Sequence, residues 1–177
     1  MQTSTAFDTT IQKTANSQMS GKYLTFWTER QLFGVPIADV VQIIGIQEIT
    51  PIPEFPNYAK GVIDLRGSII PVIDVRIRFG KEEAQYDERT CIIVTSIENS
   101  YIGFIVDAVD EVTDINDDAI SPPPKVSQDC SNAYLIGISK VENKVVLLLD
   151  TKKILTENEF EQVSQQASNA SDFANKQ

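Results

Sequence analysis

Histidine is absent from this chain of 177 residues. Without an imidazole the chain lacks the usual general base near neutral pH and the commonest metal ligand. Nucleophile pairs of serine or cysteine with histidine are therefore excluded. Neither a Cys-x-x-Cys pair nor a glycine-rich phosphate-binding loop occurs in the sequence. The sequence therefore predicts a protein that is not an enzyme and that holds no metal and no cofactor.

Basic residues are also scarce. The chain has 15 Lys and Arg against 25 Asp and Glu, which gives a formal net charge of -10. The nearest approach to a basic cluster is Arg76 and Arg78 with Lys81. Binding to phosphates requires clustered positive charge, so we expect neither nucleic acid nor an anionic membrane as a partner. The densest acidic stretch, residues 107–118, lacks the spacing of a calcium loop and is interpreted as a solvated acidic face.

Cysteines and long apolar runs are few. The two cysteines are Cys91, which begins an apolar run and is predicted to be buried, and Cys130, which lies in a polar stretch. Two cysteines in a chain of this length are weak grounds for an oxidising compartment. No secretion signal is recognisable, and no apolar run reaches membrane-spanning length. We expect a cytoplasmic protein that does not insert into a membrane.

Two runs rich in β-branched residues flank the most informative stretch, residues 60–76. The runs 62–65 and 69–75 enclose Arg66, Gly67 and Ser68. Because Gly67 and Ser68 can supply the positive φ of a two-residue turn, the pattern predicts a β-hairpin with Leu65 and Gly67 as structural residues and Arg66 at its turn. The guanidinium of Arg66 can serve as a strut to a neighbouring loop or can bind a carboxylate or carbonyl of a partner. Both roles stay open at this point.

The chain also repeats itself. Four blocks recur in the same order, which indicates an internal duplication. Residues 23–27 correspond to 91–95, 34–43 to 103–112, 49–53 to 120–124, and 61–79 to 137–155. Asp74 and Asp150 fall at equivalent strand ends, where each is expected to cap the following segment.

Short apolar runs between turn signals predict an all-β fold of two small barrels packed together. The folded body spans residues 22–156, with one barrel subdomain at roughly 22–88 and the other at 89–156, and strand exchange between them is possible. Residues 1–21 are expected to form a disordered lead. Residues 157–177 are expected to form a polar, partly disordered tail with one or two helical turns near 159–163. A short closing helix is predicted at 151–155.

These motifs together resemble the CheW family, the coupling proteins of bacterial chemotaxis. The resemblance covers almost all of residues 22–156. It implies two five-stranded barrels similar to SH3 barrels and a non-catalytic adaptor. Its partners would be the cytoplasmic tips of chemoreceptors and the regulatory domain of the histidine kinase CheA. The resemblance rests on Val40 and on the segments FGVPI (33–37), ITPIP (49–53), KGVIDLRG (60–67), IPVID (70–74) and GFIVD (103–107).

The resemblance also implies a cytoplasmic protein that is recruited to membrane-associated receptor arrays and is a monomer when isolated. An alternative is a CheW-like scaffold in a signalling system that does not serve motility. Gln42 stands where relatives commonly have Glu, so a pair with Arg66 would be a hydrogen bond. Val126 follows the proline loop 122–124 and matches a kinase-binding position, although it could equally pack into its own barrel. The implied receptor-binding groove comprises Val40, Arg66, Cys91, Val109 and Val112.

Overall fold

The computed structural model describes residues 20–124 and 133–175, with side chains to residue 170. Ten strands dominate, which confirms the all-β prediction. They are β1 (Lys22–Thr28), β2 (Gln31–Pro36), β3 (Val40–Gly45), β4 (Ala59–Leu65), β5 (Ser68–Asp74), β6 (Cys91–Ile97), β7 (Ser100–Val106), β8 (Ala108–Asp114), β9 (Leu135–Val141) and β10 (Lys144–Leu149). The helices are α1 (Val75–Arg78) and α2 (Glu157–Asn175), and three short 3-10 turns lie at Ile37–Asp39, Asp117–Ala119 and Thr151–Lys153.

The strands form two five-stranded sheets, and each closes into a small barrel. Barrel A has the strand order β8-β1-β2-β10-β9, and barrel B has the order β3-β6-β7-β5-β4. In barrel B an isolated bridge pairs Thr50, in the segment after β3, with Val62 of β4, and in barrel A an equivalent bridge pairs Ser121, in the segment after β8, with Ile138 of β9. Closure leaves few unpaired backbone groups at the edges of either sheet.

Each barrel takes strands from both halves of the chain. Barrel B uses the continuous segment from β3 to β7, whereas barrel A combines β1 and β2 with β8, β9 and β10. The two barrels therefore do not follow a division near residues 88 and 89. The two halves of the chain exchange strands because β2 pairs in parallel with β10 and β5 pairs in parallel with β7. Barrel B is thus an insertion within barrel A.

The strand register carries the same repeat as the sequence. In the parallel pairs, Gly34 lies opposite Leu148 in barrel A, and Gly103 lies opposite Val72 in barrel B. The antiparallel partner of Gly34 is Thr25, and that of Gly103 is Val94. Thr25 and Val94 are therefore equivalent, and the sequence alignment of 23–27 with 91–95 was wrong by one residue. A continuous apolar run has no alternation of apolar and polar residues, so its register cannot be read from the sequence without the strand that it pairs with.

The predicted hairpin is present, but its turn is one residue earlier than expected. Ser68 pairs with Leu65, so the two turn residues are Arg66 and Gly67, with φ angles of 54° and 89°. A turn with two positive φ angles matches the twist of the flanking strands. The side chain of Asp64 accepts a hydrogen bond of 2.8 Å from the Gly67 amide and stabilises the turn.

Apolar side chains form three clusters. The largest lies between the barrels and includes Phe26 and Phe33 from barrel A with Ile93 and Phe104 from barrel B. The two smaller clusters fill the barrel interiors. Barrel B encloses Ile63, Ile70, Val72, Ile92, Val94 and Ile105, and barrel A encloses Leu32, Ile115, Val146 and Leu148.

The caps predicted at the strand ends are confirmed. Asp74 accepts a hydrogen bond from the Arg76 amide at 2.9 Å, and Asp150 accepts one from the Lys152 amide at 3.0 Å. The short closing helix is the 3-10 turn Thr151–Lys153. The lead at residues 1–19 lies outside the described residues.

The C-terminal segment differs from the expected polar tail. Residues 157–175 form one helix, α2, rather than a helical turn or two. Its polar composition concealed a narrow apolar stripe, because Val163 and Ala167 are spaced four residues apart and both are buried.

Candidate functional site

Three of the five predicted groove residues pack, at separate points, against the apolar cluster at the junction of the barrels. Val40 begins β3, Cys91 begins β6, and Val109 lies near the start of β8. All three are half-buried and pack against the cluster between the barrels. Cys91 was predicted to be buried and is only half-buried, and its thiol donates to the Arg89 carbonyl at 3.3 Å. We call Val40, Cys91 and Val109 the seam residues.

Val112 lies on the same strand as Val109, but its side chain is 52% exposed. A β-bulge separates the two residues, since Leu24 pairs with Val112 and Phe26 with Val109. The hydroxyl of Thr25 fills the bulge by donating to the Glu111 carbonyl at 2.9 Å. Irregular pairing of this kind re-aims side chains. Val112 is therefore an exposed apolar side chain on β8.

Arg66 lines a cavity at the interior of barrel B, whose walls include the core residues Ile70 and Val94. The cavity has a volume of about 200 Å³. Arg66 is exposed, as are its neighbours Val41 and Tyr101, which are 52% and 47% exposed. We call this cavity the mouth pocket, and it is lined by Val41, Gln42, Leu65, Arg66, Ser68, Ile70, Val94 and Tyr101.

Gln42 lines the mouth pocket together with Arg66. Among residues 20–124 and 133–175, however, the Arg66 side chain forms no hydrogen bond and no ion pair. The polar contact that stabilises the turn belongs to Asp64 instead. The guanidinium is therefore presented to solvent at the rim of an apolar cavity.

An ion pair that the sequence did not reveal joins α1 to the end of β7. The Arg76 guanidinium donates to Asp107 through Nε at 2.7 Å and through a second nitrogen, and the Glu29 amide also donates to this carboxylate. The hydrogen bond that Arg76 donates to the Asp107 carboxylate raises the pKa of Arg76. Asp107 is thus not part of a solvated acidic face. One signal in the sequence could have indicated this ion pair. Asp107 directly follows the apolar run 104–106, and a carboxylate next to a buried strand usually needs a cation or a hydrogen-bond donor as its partner.

Two predicted residues lie outside the described part of the chain. They are Val126, which was expected to contact the kinase, and Cys130. Leu65 and Gly67 occupy the hairpin as expected, Leu65 at the end of β4 and Gly67 in the turn.

Over residues 20–124 and 133–175, no helix is both long and apolar enough to cross a membrane. In the same part of the chain, no group of three or more cysteine and acidic side chains is arranged to hold a metal ion.

Comparison with known proteins adds a family to this geometry. The family model of the CheW-like domain matches residues 22–159. A chemotaxis protein CheW from Klebsiella aerogenes is 31% identical over 151 residues, which cover 85% of this chain and 91% of that protein. A probable chemotaxis protein CheW from Rhizobium etli is 32% identical over 145 residues, covering 82% and 94%.

A solved structure extends the likeness to the fold. The scaffolding protein TtCheW from Thermoanaerobacter tengcongensis superposes with a TM-score of 0.72 at 36% sequence identity. The match covers 78% of this chain and 94% of that one.

Proposed function

Because the chain belongs to the CheW-like family of chemotaxis scaffold proteins, we propose that it is an adaptor that couples chemoreceptor tips to the regulatory domain of the kinase CheA. The chief support is that the molecule carries two separate apolar surfaces. One is the seam with Val112, and the other is the mouth pocket with Arg66. An adaptor that joins two partners needs two such surfaces.

The receptor tip docks on the seam and on the exposed face of β8. Val40, Cys91 and Val109 offer half-buried apolar surface, and Val112 adds an exposed side chain on the strand that carries Val109. A helical partner with an apolar face suits such a surface, since helices recognise shallow apolar grooves through residues spaced three and four apart. Arg66 is exposed and lines the mouth pocket, whereas the seam residues are half-buried against the cluster between the barrels. We therefore assign Arg66 to the mouth pocket.

The kinase regulatory domain docks on barrel B at the mouth pocket, with Val126 as a further contact implied by the family resemblance. The pocket joins apolar walls to one exposed cation, which suits an apolar side chain beside a carboxylate. The adaptor works in the cytoplasm, where binding to the receptor tips recruits it to membrane-associated arrays. We assign no reaction, metal or cofactor to it.

Binding assays with a receptor tip fragment and with the CheA regulatory domain test this function. Val112→Asp is expected to weaken receptor binding at least tenfold, because a carboxylate would be desolvated at the centre of the contact. Val145→Asp is a matched control, since Val145 is 50% exposed on β10 of the same barrel. Circular dichroism checks the fold of both variants.

Val109→Asp would be a poorer probe because Val109 packs against the cluster between the barrels. Its replacement would lower stability and binding together. If neither partner binds the wild-type chain at micromolar concentration, the adaptor function is wrong. Equal loss of receptor binding in Val112→Asp and Val145→Asp would show that the receptor docks elsewhere.

A further inference from the structure

The outward side of the β4–β5 hairpin in barrel B is covered by the helix α2. Alternate residues of β5 point away from the interior of the barrel, because Ile70 and Val72 belong to its core. The outward residues are Ile69 and Pro71, and both line a cleft against α2, which packs on β5. Under this helix Pro71 is buried and Ile69 is half-buried.

Barrel A has an equivalent hairpin, formed by β9 and β10. The two hairpins share one register, since Val62 pairs with Pro71 in barrel B and Ile138 pairs with Leu147 in barrel A. Val62 and Ile138 also form the equivalent isolated bridges. Leu147 therefore corresponds to Pro71, and Val145 lies two residues before it on the same outward side of β10.

This side of barrel A lacks such a helix. Among residues 20–124 and 133–175, no helix packs on β9 or β10 in the way that α2 packs on β5. Val145 is accordingly 50% exposed, and Ile138 and Leu147 are half-buried, whereas their two counterparts in barrel B are buried. Ile136 of β9 is also 45% exposed. We call Ile136, Ile138, Val145 and Leu147 the β9–β10 face.

Two lysines border the β9–β10 face. Lys140 pairs directly with Val145 and is exposed on the same side of the hairpin. Lys144 is exposed at the start of β10, and its ammonium lies 5.5 Å from the centre of the Trp27 ring. In the described part of the chain neither lysine forms an ion pair, and the one carboxylate of the hairpin, Glu142, lies in its turn. The border of this face therefore suits carboxylates of a partner.

The helix on the equivalent side of barrel B indicates which occupant fits. Its apolar side chains Phe160, Val163 and Ala167 are spaced three and four apart and form one stripe. Its first turn is acidic, and Glu159 there accepts a hydrogen bond from the Arg78 guanidinium at 3.2 Å. An acidic amphipathic helix is thus the element that this chain itself packs on a hairpin of this register.

We propose that the β9–β10 face of barrel A docks an acidic amphipathic helix of a partner protein, in the way that α2 covers β5 of barrel B. The apolar stripe of that helix lies over Val145 and Leu147, and its carboxylates lie beside Lys140. A second copy of the chain fits less well, because a two-fold contact would place a patch bordered by lysines against itself. The face includes no residue of the seam or of the mouth pocket, so the proposal goes beyond the receptor and kinase contacts.

Two synthetic peptides test the proposal on the full chain. Both are amphipathic helices of about 18 residues, long enough to form in isolation, with leucines spaced three and four apart. One peptide carries glutamates beside the leucine stripe, and the other carries lysines at the same positions. Amide shifts of the isotope-labelled chain report where each peptide binds.

The glutamate peptide is expected to shift the amides of β9 and β10 and to bind there about threefold more tightly than the lysine peptide. The net charge of the chain is -10, so non-specific attraction would favour the lysine peptide instead. A preference for glutamate at this face therefore reports the local lysines.

Three variants locate the contact. Val145→Asp is expected to weaken binding of the glutamate peptide about tenfold, because it places a carboxylate in the middle of the face. Val112→Asp is the matched control, since Val112 is 52% exposed on β8 of the same barrel, and it should leave peptide binding unchanged. Lys140→Glu changes an exposed side chain and is expected to reverse the preference between the two peptides.

Equal affinity of the two peptides at β9 and β10, no binding, or unchanged binding to Val145→Asp would overturn the proposal. A wild-type dimer in sedimentation that Val145→Asp dissociates would show that a second copy occupies the face. Nuclear Overhauser contacts from residues outside the described part of the chain would show that the chain covers the face itself. Receptor and kinase binding by Val145→Asp should stay unchanged, so the proposed function can fail without this proposal and this proposal without it.

Discussion

Gly103 and Gly34 occupy equivalent positions in the two barrels, yet alanine at these positions is expected to have different consequences. A Cβ added at Gly103 would lie 2.7 Å from Ile92 Cγ2 and 2.9 Å from Val72 Cγ1. Both neighbours are fully buried and β-branched, so neither can rotate away cheaply. A Cβ added at Gly34 would lie 3.0 Å from Leu148 Cδ2, the far end of a more flexible side chain.

The magnitudes follow from this difference in crowding. Overpacking a core costs about 1–3 kcal/mol, and replacing a strand glycine by alanine returns about 0.5–1 kcal/mol of backbone entropy. We expect Gly103→Ala to lose about 2 kcal/mol of unfolding free energy, and Gly34→Ala to change it by less than about 0.5 kcal/mol.

Urea unfolding followed by circular dichroism measures both values. The m-value should stay constant, so that the shift in midpoint reports stability alone. In a thermal scan, Gly103→Ala should lower Tm by roughly 4–8 °C for a chain of this size. Equal losses at the two glycines would refute the reasoning, because it would mean that packing around the equivalent positions is the same.

Three further predictions concern single side chains. Tyr86→Phe should cost about 1–3 kcal/mol, because the Tyr86 hydroxyl donates at 2.7 Å to the buried Asp74 carboxylate, and urea unfolding against the exposed control Tyr101→Phe measures it. Arg66→Gly should change the unfolding free energy by less than about 0.5 kcal/mol, since the left-handed turn suits glycine; a loss above about 1 kcal/mol would restore the strut role. The third concerns pH. Burial alone would raise the pKa of Glu159, but its hydrogen bonds and the nearby guanidinium lower it below 4.5. A lowered pKa in the folded state gives stability that is present above the unfolded value and is lost as pH falls through the folded value. Helix content followed by circular dichroism from pH 6 to pH 3 should therefore drop in the wild type and stay flatter in Glu159→Gln.

The fold was largely predictable from local signals. Hairpin turns, prolines and the spacing of apolar runs predicted short strands in two repeats, because each of these signals acts within a few residues. The pairing of β2 with β10 was not predictable in this way, since the two strands lie far apart in sequence and their partners leave no local mark.

Some residues of the candidate site could be predicted from the sequence, and others could be assigned only from the structure. The family resemblance named the seam residues Val40 and Val109, which are also equivalent positions in the repeat, and both pack against the cluster between the barrels. Arg66 could not be separated from them without the barrel geometry that places it beside Gln42. Asp107 was misinterpreted because a run of carboxylates conceals the one that has a partner.

The insertion of barrel B within barrel A has a consequence for synthesis on the ribosome. The β1–β2 hairpin emerges first, yet its neighbours β8 and β10 are translated only after the whole of barrel B. Barrel B can assemble on the nascent chain while Leu24, Phe26 and Leu32 still wait for partners. Until β10 leaves the exit tunnel, the β1–β2 hairpin exposes apolar side chains of the kind that chaperones bind.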